Sequence, residues 1–401
     1  MDLKSGYPYW LIKDGLQYSY PKLENSFKTE VAIIGGGISG AFVAYYLINA
    51  GISCAVLDGR SIGLGSTCAS TSLLLYEIDV SLSELQHKVS YKNAARSYQL
   101  CGESIQKLSE ICKKIGFKEF QFKNCLYYAA NKKDIAFLKD ECEIRAANNF
   151  KVNYLDRDEI KAQYGFEAPG AILSDLAGQT NAYGLTHALH QHSIKKGCKV
   201  YERTFIKKIE HSTAGVKLKA DKNIIITAKK LVYANGYEAV NYINKKIVDL
   251  HSTYATVNEH KNNGESFWKD DVLIWNTDKP YLYMRTTPDG RIIVGGRDEK
   301  FYDPQRRDKL IEQKSEELKK DFKKIFPGIE FNPEFNWAGT FGATKDGLPY
   351  IGTYKPLPNS YFALGFGGNG ITFSLIAAEI ISDLISGKKN ADATIFGFDR
   401  I

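Results

Sequence analysis

The chain has 401 residues, of which 44% are hydrophobic and 25% charged. That is enough for about two to three domains with a sizeable core, and the composition excludes a disordered chain, a collagen-like repeat and a long coiled coil. The net charge of +7, from 53 Lys and Arg against 46 Asp and Glu, is spread among interleaved acids, so it reads as a solubility margin and no nucleic-acid partner is expected.

In chain order, residues 1–27 mix charges with aromatics and prolines and hold no apolar signal-peptide core. A cytoplasmic location is the expectation. The uncharged stretch 31–57 is interrupted by Gly35, Gly36, Gly37, Gly40, Asn49 and Gly51. It reads as a strand (31–34), a helix (38–50) and a second strand (54–57) ending at Asp58, not as a membrane span. Beyond the Gly- and Ser-rich segment 63–72, Ser81 and Glu84 have capping-box spacing and a helical pattern runs to Ile115. A strand at 125–130 and a charged helix at 133–148 begin a second domain. The first domain resumes with a helix at 185–196, strands near Val200 and 205–209, and the strand 231–234 that runs into Asn235 and Gly236. Residues 247–275 and 281–296 read as strands of the second domain, with Pro288-Asp289-Gly290 as a tight turn. Residues 306–326 form an amphipathic surface helix, and 365–370 open a last apolar helix, 371–386.

Seven cysteines (Cys54, Cys68, Cys101, Cys112, Cys125, Cys142 and Cys198) are odd in number and contain no C-x-x-C pair. Neither a disulfide framework nor a metal site is expected.

Two glycine elements carry the chemistry. Gly35-Gly36-Gly37-Ile38-Ser39-Gly40 fits G-x-G-x-x-G between a strand and a helix, with Asp58 at the end of the next strand. Glycines there let backbone N–H groups approach a pyrophosphate at a helix N-terminus, while the acid accepts from ribose hydroxyls. NAD and FAD sites share this fingerprint. The second element, Gly365-Phe366-Gly367-Gly368-Asn369-Gly370, ends on another helix N-terminus and suits the pyrimidine side of a flavin, which is negatively charged when reduced.

These elements, with Gly65-Ser66-Thr67, 231–236, 281–296, Trp337-Ala338-Gly339-Thr340 and 345–352, occur in an order that resembles the D-amino-acid oxidase superfamily of FAD enzymes, which includes glycine, sarcosine and gamma-glutamylputrescine oxidases. The resemblance covers nearly the whole chain. It implies an α/β fold: a discontinuous Rossmann-like FAD-binding domain (1–87, 175–240 and 337–401) and an α+β substrate domain with a mixed or antiparallel sheet (88–174 and 241–336). It implies pyrophosphate contacts from Gly35, Gly37, Ile38, Ser39 and Gly40, and ribose contacts from Asp58 with Gly59 and Arg60 alongside. Gly65, Ser66 and Thr67 would meet the phosphates and flavin and Ile206 the adenine, and Ala234, Gly236 and Gly339 would also contact the cofactor. Gly367, Gly368, Asn369, Gly370, Ile371 and Thr372 would hold the isoalloxazine.

The implied reaction oxidises the C–N bond of a small amine or amino acid by hydride transfer to flavin N5, with oxygen or an unknown carrier as electron acceptor. An FAD-dependent dehydrogenase of a hydroxy acid is the alternative. Arg285, with Arg297 second, is the candidate partner for a substrate carboxylate. Tyr283, Tyr254 and Asn369 join Arg285 as candidate catalytic residues, and Tyr76 and Glu77 as pocket lining. Ala69 and Gly339 stand where relatives attach FAD through His or Cys, so the FAD is expected to be non-covalent. Ile293 stands where sarcosine-oxidase-like members carry a lysine.

Overall fold

The computed structural model describes residues 1–260 and 266–400; residues 261–265 of the stretch expected to be strand lie outside the described residues. Two sheets organise the molecule. The first runs Tyr350–Thr353, Ser360–Leu364, Ile225–Tyr233, Phe27–Ile34, Cys54–Leu57, Lys199–Tyr201, with every pairing parallel except the first, and carries the hairpin Ile206–Ser212 and Gly215–Ala220. Its central strand is apolar on both faces because both are covered. Val31 and Ile33 pack on the helical side, while Ala32 and Ile34 pack with Leu218, Ile226 and Ala239 on the other. That alternation, not a bilayer, explains the missing charges. Among the described residues no helix is long and apolar enough to cross a membrane.

The helices Ile38–Asn49, Ala182–Lys195 and Gly370–Ile385 cover the helical side. The first and third are joined by a 2.7 Å hydrogen bond between the Ser39 and Ser374 hydroxyls, so both glycine elements open toward one place.

The second sheet is mixed, in the order Lys4–Gly6, Pro333–Ala343, Asp249–Asn258, Ile292–Glu299, Tyr283–Thr286, Leu273–Asn276, Phe120–Tyr128, Gly170–Thr180, Leu73–Leu75. The expected turn closes the hairpin between Tyr283–Thr286 and Ile292–Glu299, with Gly290 at φ +75° and its N–H donating to Thr287 O at 3.0 Å. One face is covered by helix Ile311–Ile325, whose Leu318 and Phe322 join a core with Met284, Val294 and Ala338. The other face looks toward the glycine elements.

The fold class is as expected, but strands cross the boundaries drawn from sequence. Gly170–Thr180 spans the cut at 174/175 and Pro333–Ala343 the cut at 336/337; Lys4–Gly6 and Leu73–Leu75 belong to the second sheet. Helix Tyr91–Ile115 buries Tyr98, Cys101 and Ile105 in the same core as Ile371 and Leu375, on the dinucleotide side. The helix expected at 306–326 is two, Pro304–Lys309 and Ile311–Ile325, and Arg307 is buried between Asp2 and Thr340.

Candidate active site

Both glycine elements line one cavity of about 570 Å³ between the sheets, within the size range of cofactor sites. Its first end is built at the C-terminal edge of the parallel sheet. Gly35 turns with φ +105°, so close to the next strand that a Cβ would lie 2.4 Å from Ala234 O. Only glycine allows both. Gly36 N–H donates to Asp58 Oδ2 at 2.7 Å and Arg60 N–H to Oδ1 at 2.7 Å. Burial pushes the Asp58 carboxyl up, and these two donors oppose the push. Thr67 Oγ1 accepts from Ile38 N–H at 3.1 Å and caps the helix. Beside it Ser66 Oγ is buried with no partner, as is Asn235 Oδ1. Such orphaned polar atoms on a cavity wall fit a site completed by a polar ligand.

At the second end, Gly365 and Gly367 take φ of +78° and +55° and lead into the helix at Gly370, where a Cβ would meet nothing within 4 Å. Asn369 Nδ2 donates to Leu75 O at 3.1 Å and to Glu77 O at 2.8 Å, tying this loop to the strand 73–75. Ala69 and Gly339 face each other here, and a Cβ on Gly339 would lie 3.8 Å from that of Ala69. The donor-rich glycine loops at both ends fit a dinucleotide laid along the cavity with a flavin at the second.

Residues 30–384 match the family described as FAD dependent oxidoreductase (DAO). The chain belongs to that family. This FAD-dependent oxidoreductase is 25% identical to glycine oxidase of Bacillus subtilis, over 90% of the chain and 94% of that protein. It is 24% identical to gamma-glutamylputrescine oxidoreductase of Escherichia coli, over 92% and 86%. Its fold matches the crystal structure of glycine oxidase from Geobacillus kaustophilus with a TM-score of 0.79 and 19% identity, covering 94% of this chain and all of that one.

Of the residues singled out from sequence, the oxidoreductase brings Gly35, Gly37, Ile38, Ser39, Asp58, Gly59, Arg60, Gly65, Ser66, Thr67, Glu77, Ile206, Ala234, Gly236, Tyr283, Gly339, Gly367, Gly368, Asn369, Gly370 and Ile371 to the cavity wall. Gly40 does not line it. Its missing Cβ would sit 1.9 Å from Gly35 O, so its place is in the helix–strand packing. Thr372 also lies behind the wall, its hydroxyl donating to Asn369 O at 3.0 Å.

Arg285 requires the largest correction. It shares a strand face with Tyr283, but its guanidinium is 1% exposed and off the cavity; Nη1 donates to the carbonyls of Thr71, Ser72 and Thr180 at 3.2, 3.0 and 2.9 Å. It holds the loop after Cys68 against the sheet. Arg297 is bound to Asp321 at 2.7 Å, outside the cavity. Tyr254 has the wrong parity: Thr253 faces the cavity, while Tyr254 packs in the core beneath helix Ile311–Ile325. Tyr76 stacks on Phe150 behind the wall. Ile293 is buried with Trp10, Cys68 and Trp337. Cys68, also off the cavity, points its Sγ at Gly65 O, and burial pushes its thiol up to about 12.

The sequence reading missed Asp79, Thr253, Trp275, Tyr281 and Asp298, all at the second end. Tyr281 Oη donates to Asp79 Oδ1 at 3.0 Å and Gly368 N–H to Asp79 Oδ2 at 2.8 Å. The Tyr283 ring lies across Gly295, where a Cβ would come within 2.3 Å of it. The alternation Tyr281-x-Tyr283 was the available signal, since both line the cavity, Tyr283 at the start of the strand Tyr283–Thr286 and Tyr281 just before it.

Proposed function

We propose that the enzyme oxidises the C–N bond of a small amine or amino acid, with FAD held along the cavity from Asp58 to the loop at Gly367. The observation that carries this is the second end of the cavity. There the open helix N-terminus at Gly370 faces a wall of Trp275, Tyr281 and Tyr283 from the other sheet, leaving space for a small substrate. FAD in that place supplies a two-electron acceptor that takes a hydride at N5 from the carbon bearing the amine.

The chain's own residues do the rest. Asp58 orders Gly36 and Arg60 and accepts from ribose hydroxyls. Ser66 and Thr67 donate toward phosphates, and Ile206 covers the adenine beside Phe205. Tyr283 and Trp275 exclude water and orient the substrate by shape. The reacting amine must present a lone pair, so it reacts neutral; loss of hydride leaves an iminium ion that water hydrolyses. Ala69 and Gly339 offer no attachment atom, which supports non-covalent FAD.

The test is anaerobic bleaching of the visible flavin band by a panel of amines, amino acids and hydroxy acids. Reduction by an amine class supports the reading; bleaching by hydroxy acids alone refutes it in favour of a hydroxy-acid dehydrogenase.

A further inference from the structure

Charge at the second end of the cavity is one-sided. Among the described residues lining the cavity, Arg60 is the one basic side chain, and it sits at the far end, bound to Glu238 at 2.6 Å. The second end carries two carboxylates, Asp79 on the loop after the strand Leu73–Leu75 and Asp298 on the strand Ile292–Glu299. Asp298 keeps Oδ1 buried without any partner. Glu77, 2% exposed on the same side as Asp79, also keeps Oε2 unpartnered, although its Oε1 takes Arg145 at 3.1 Å and Ser174 at 2.8 Å. Hydrogen bonding from Thr253 favours the charged Asp298 carboxylate, yet Asp298 and Glu77 each keep one acceptor atom free for a ligand's donor.

The aromatic wall has the same preference. Trp275, Tyr281 and Tyr283 form a corner, with ring centroids 5.7 Å apart for the first pair and 5.8 Å for the second. The Trp275 ring is fixed by stacking on Tyr127 at 3.8 Å. Three rings meeting beside two carboxylates suit an alkylammonium group, whose charge is attracted to ring faces and whose methylenes pack on them. A substrate carboxylate would find no cation and would face like charge.

We infer that the substrate is an amine bearing a second, positively charged nitrogen, held between Asp79 and Asp298 against Trp275, Tyr281 and Tyr283. The inference rests on the amine-oxidation reading above. It divides the substrate in two: one nitrogen reacts neutral at the flavin, and the other stays protonated and provides recognition.

The charged groups around Asp298 are Asp79 and Lys314, which is engaged by Glu299 at 2.7 Å; His251 lies near Asp79. Burial and the charge of Asp79 push Asp298 up to about 7. Asp298 is therefore charged on the alkaline side of that value, and cation affinity should rise as pH climbs through it.

Two measurements on the FAD-loaded enzyme test this. In the first, an alkyltrimethylammonium ion, which cannot lose hydride to give an imine, is titrated against the flavin band, with an alkyl carboxylate of the same length as control. Saturable perturbation by the cation alone, tighter at higher pH, is the expected result; perturbation by the carboxylate alone, or by neither, overturns the inference. In the second, anaerobic reduction by α,ω-diamines is compared with monoamines and amino acids of matched length. A kcat/KM advantage of at least about tenfold for the diamine is expected, and Asp298→Asn and Asp79→Asn should each shrink it. Equal reduction by monoamine and diamine, or faster reduction by the amino acid, refutes charge recognition and leaves amine oxidation standing. Failure of every amine to bleach the band removes the amine reading itself, whatever the cation titration shows.

Discussion

Replacing Arg285 by Met would take the guanidinium donor from the carbonyls of Thr71, Ser72 and Thr180, of which Ser72 O keeps Thr180 N–H at 3.3 Å. The expected cost is about 2–4 kcal/mol of stability, read by urea or thermal unfolding. KM for the best substrate should hardly move in the folded fraction; a large rise in KM with unchanged stability would return Arg285 to the substrate. Asp298 predicts a pH effect of definite sign. Its folded-state pKa is raised from 3.8 to about 7, so between those values the folded protein binds the extra proton, and stability falls as pH rises. Asp298→Asn removes the titration. The variant should therefore melt higher than the parent above pH 7, with the difference closing toward pH 4; a constant difference across that range would show that Asp298 does not titrate as described.

The glycines separate packing from ligand approach along the elements. Gly40→Ala would drive a Cβ into Gly35 O; the helix must shift, and both stability and FAD retention are expected to fall together. Gly370→Ala meets nothing within 4 Å. Near a helix start it should leave apo-protein stability unchanged or raise it by up to about 1 kcal/mol, so any loss of FAD retention would report ligand contact alone. Thermal melts with and without FAD check both variants. These elements also show what could be read in advance. The βαβ unit was legible because its strand alternation, glycine turn and Asp58 lie within one short segment and are held by backbone geometry. The second glycine loop was legible for the same reason. Asp79, Thr253, Trp275 and Asp298 were not, because they meet only after strands distant in sequence pair. Arg285 was misread because strand parity gives the face of a residue but not how far along that face the cavity extends.

For the whole molecule, the cavity wall is assembled from both sheets, so a ligand filling it ties them together. Added FAD should raise Tm with FAD concentration, by mass action on the folded state alone. Acid denaturation should then release all of the flavin into the supernatant; colour retained by the pellet would show a covalent link. Both sheets also depend on strands far apart in the chain. Lys4–Gly6 lies against residues 337–339, and Phe27–Ile34 is joined through Ile225–Tyr233 to Ser360–Leu364. A nascent chain leaving the ribosome therefore cannot finish either sheet until more than eight-tenths of the polypeptide has emerged. During that interval the apolar edges of the early strands stay unpaired, and pairing across such separations is slow. Yield of active enzyme should consequently depend on chaperone supply and on the speed of synthesis more than on the stability of the finished protein.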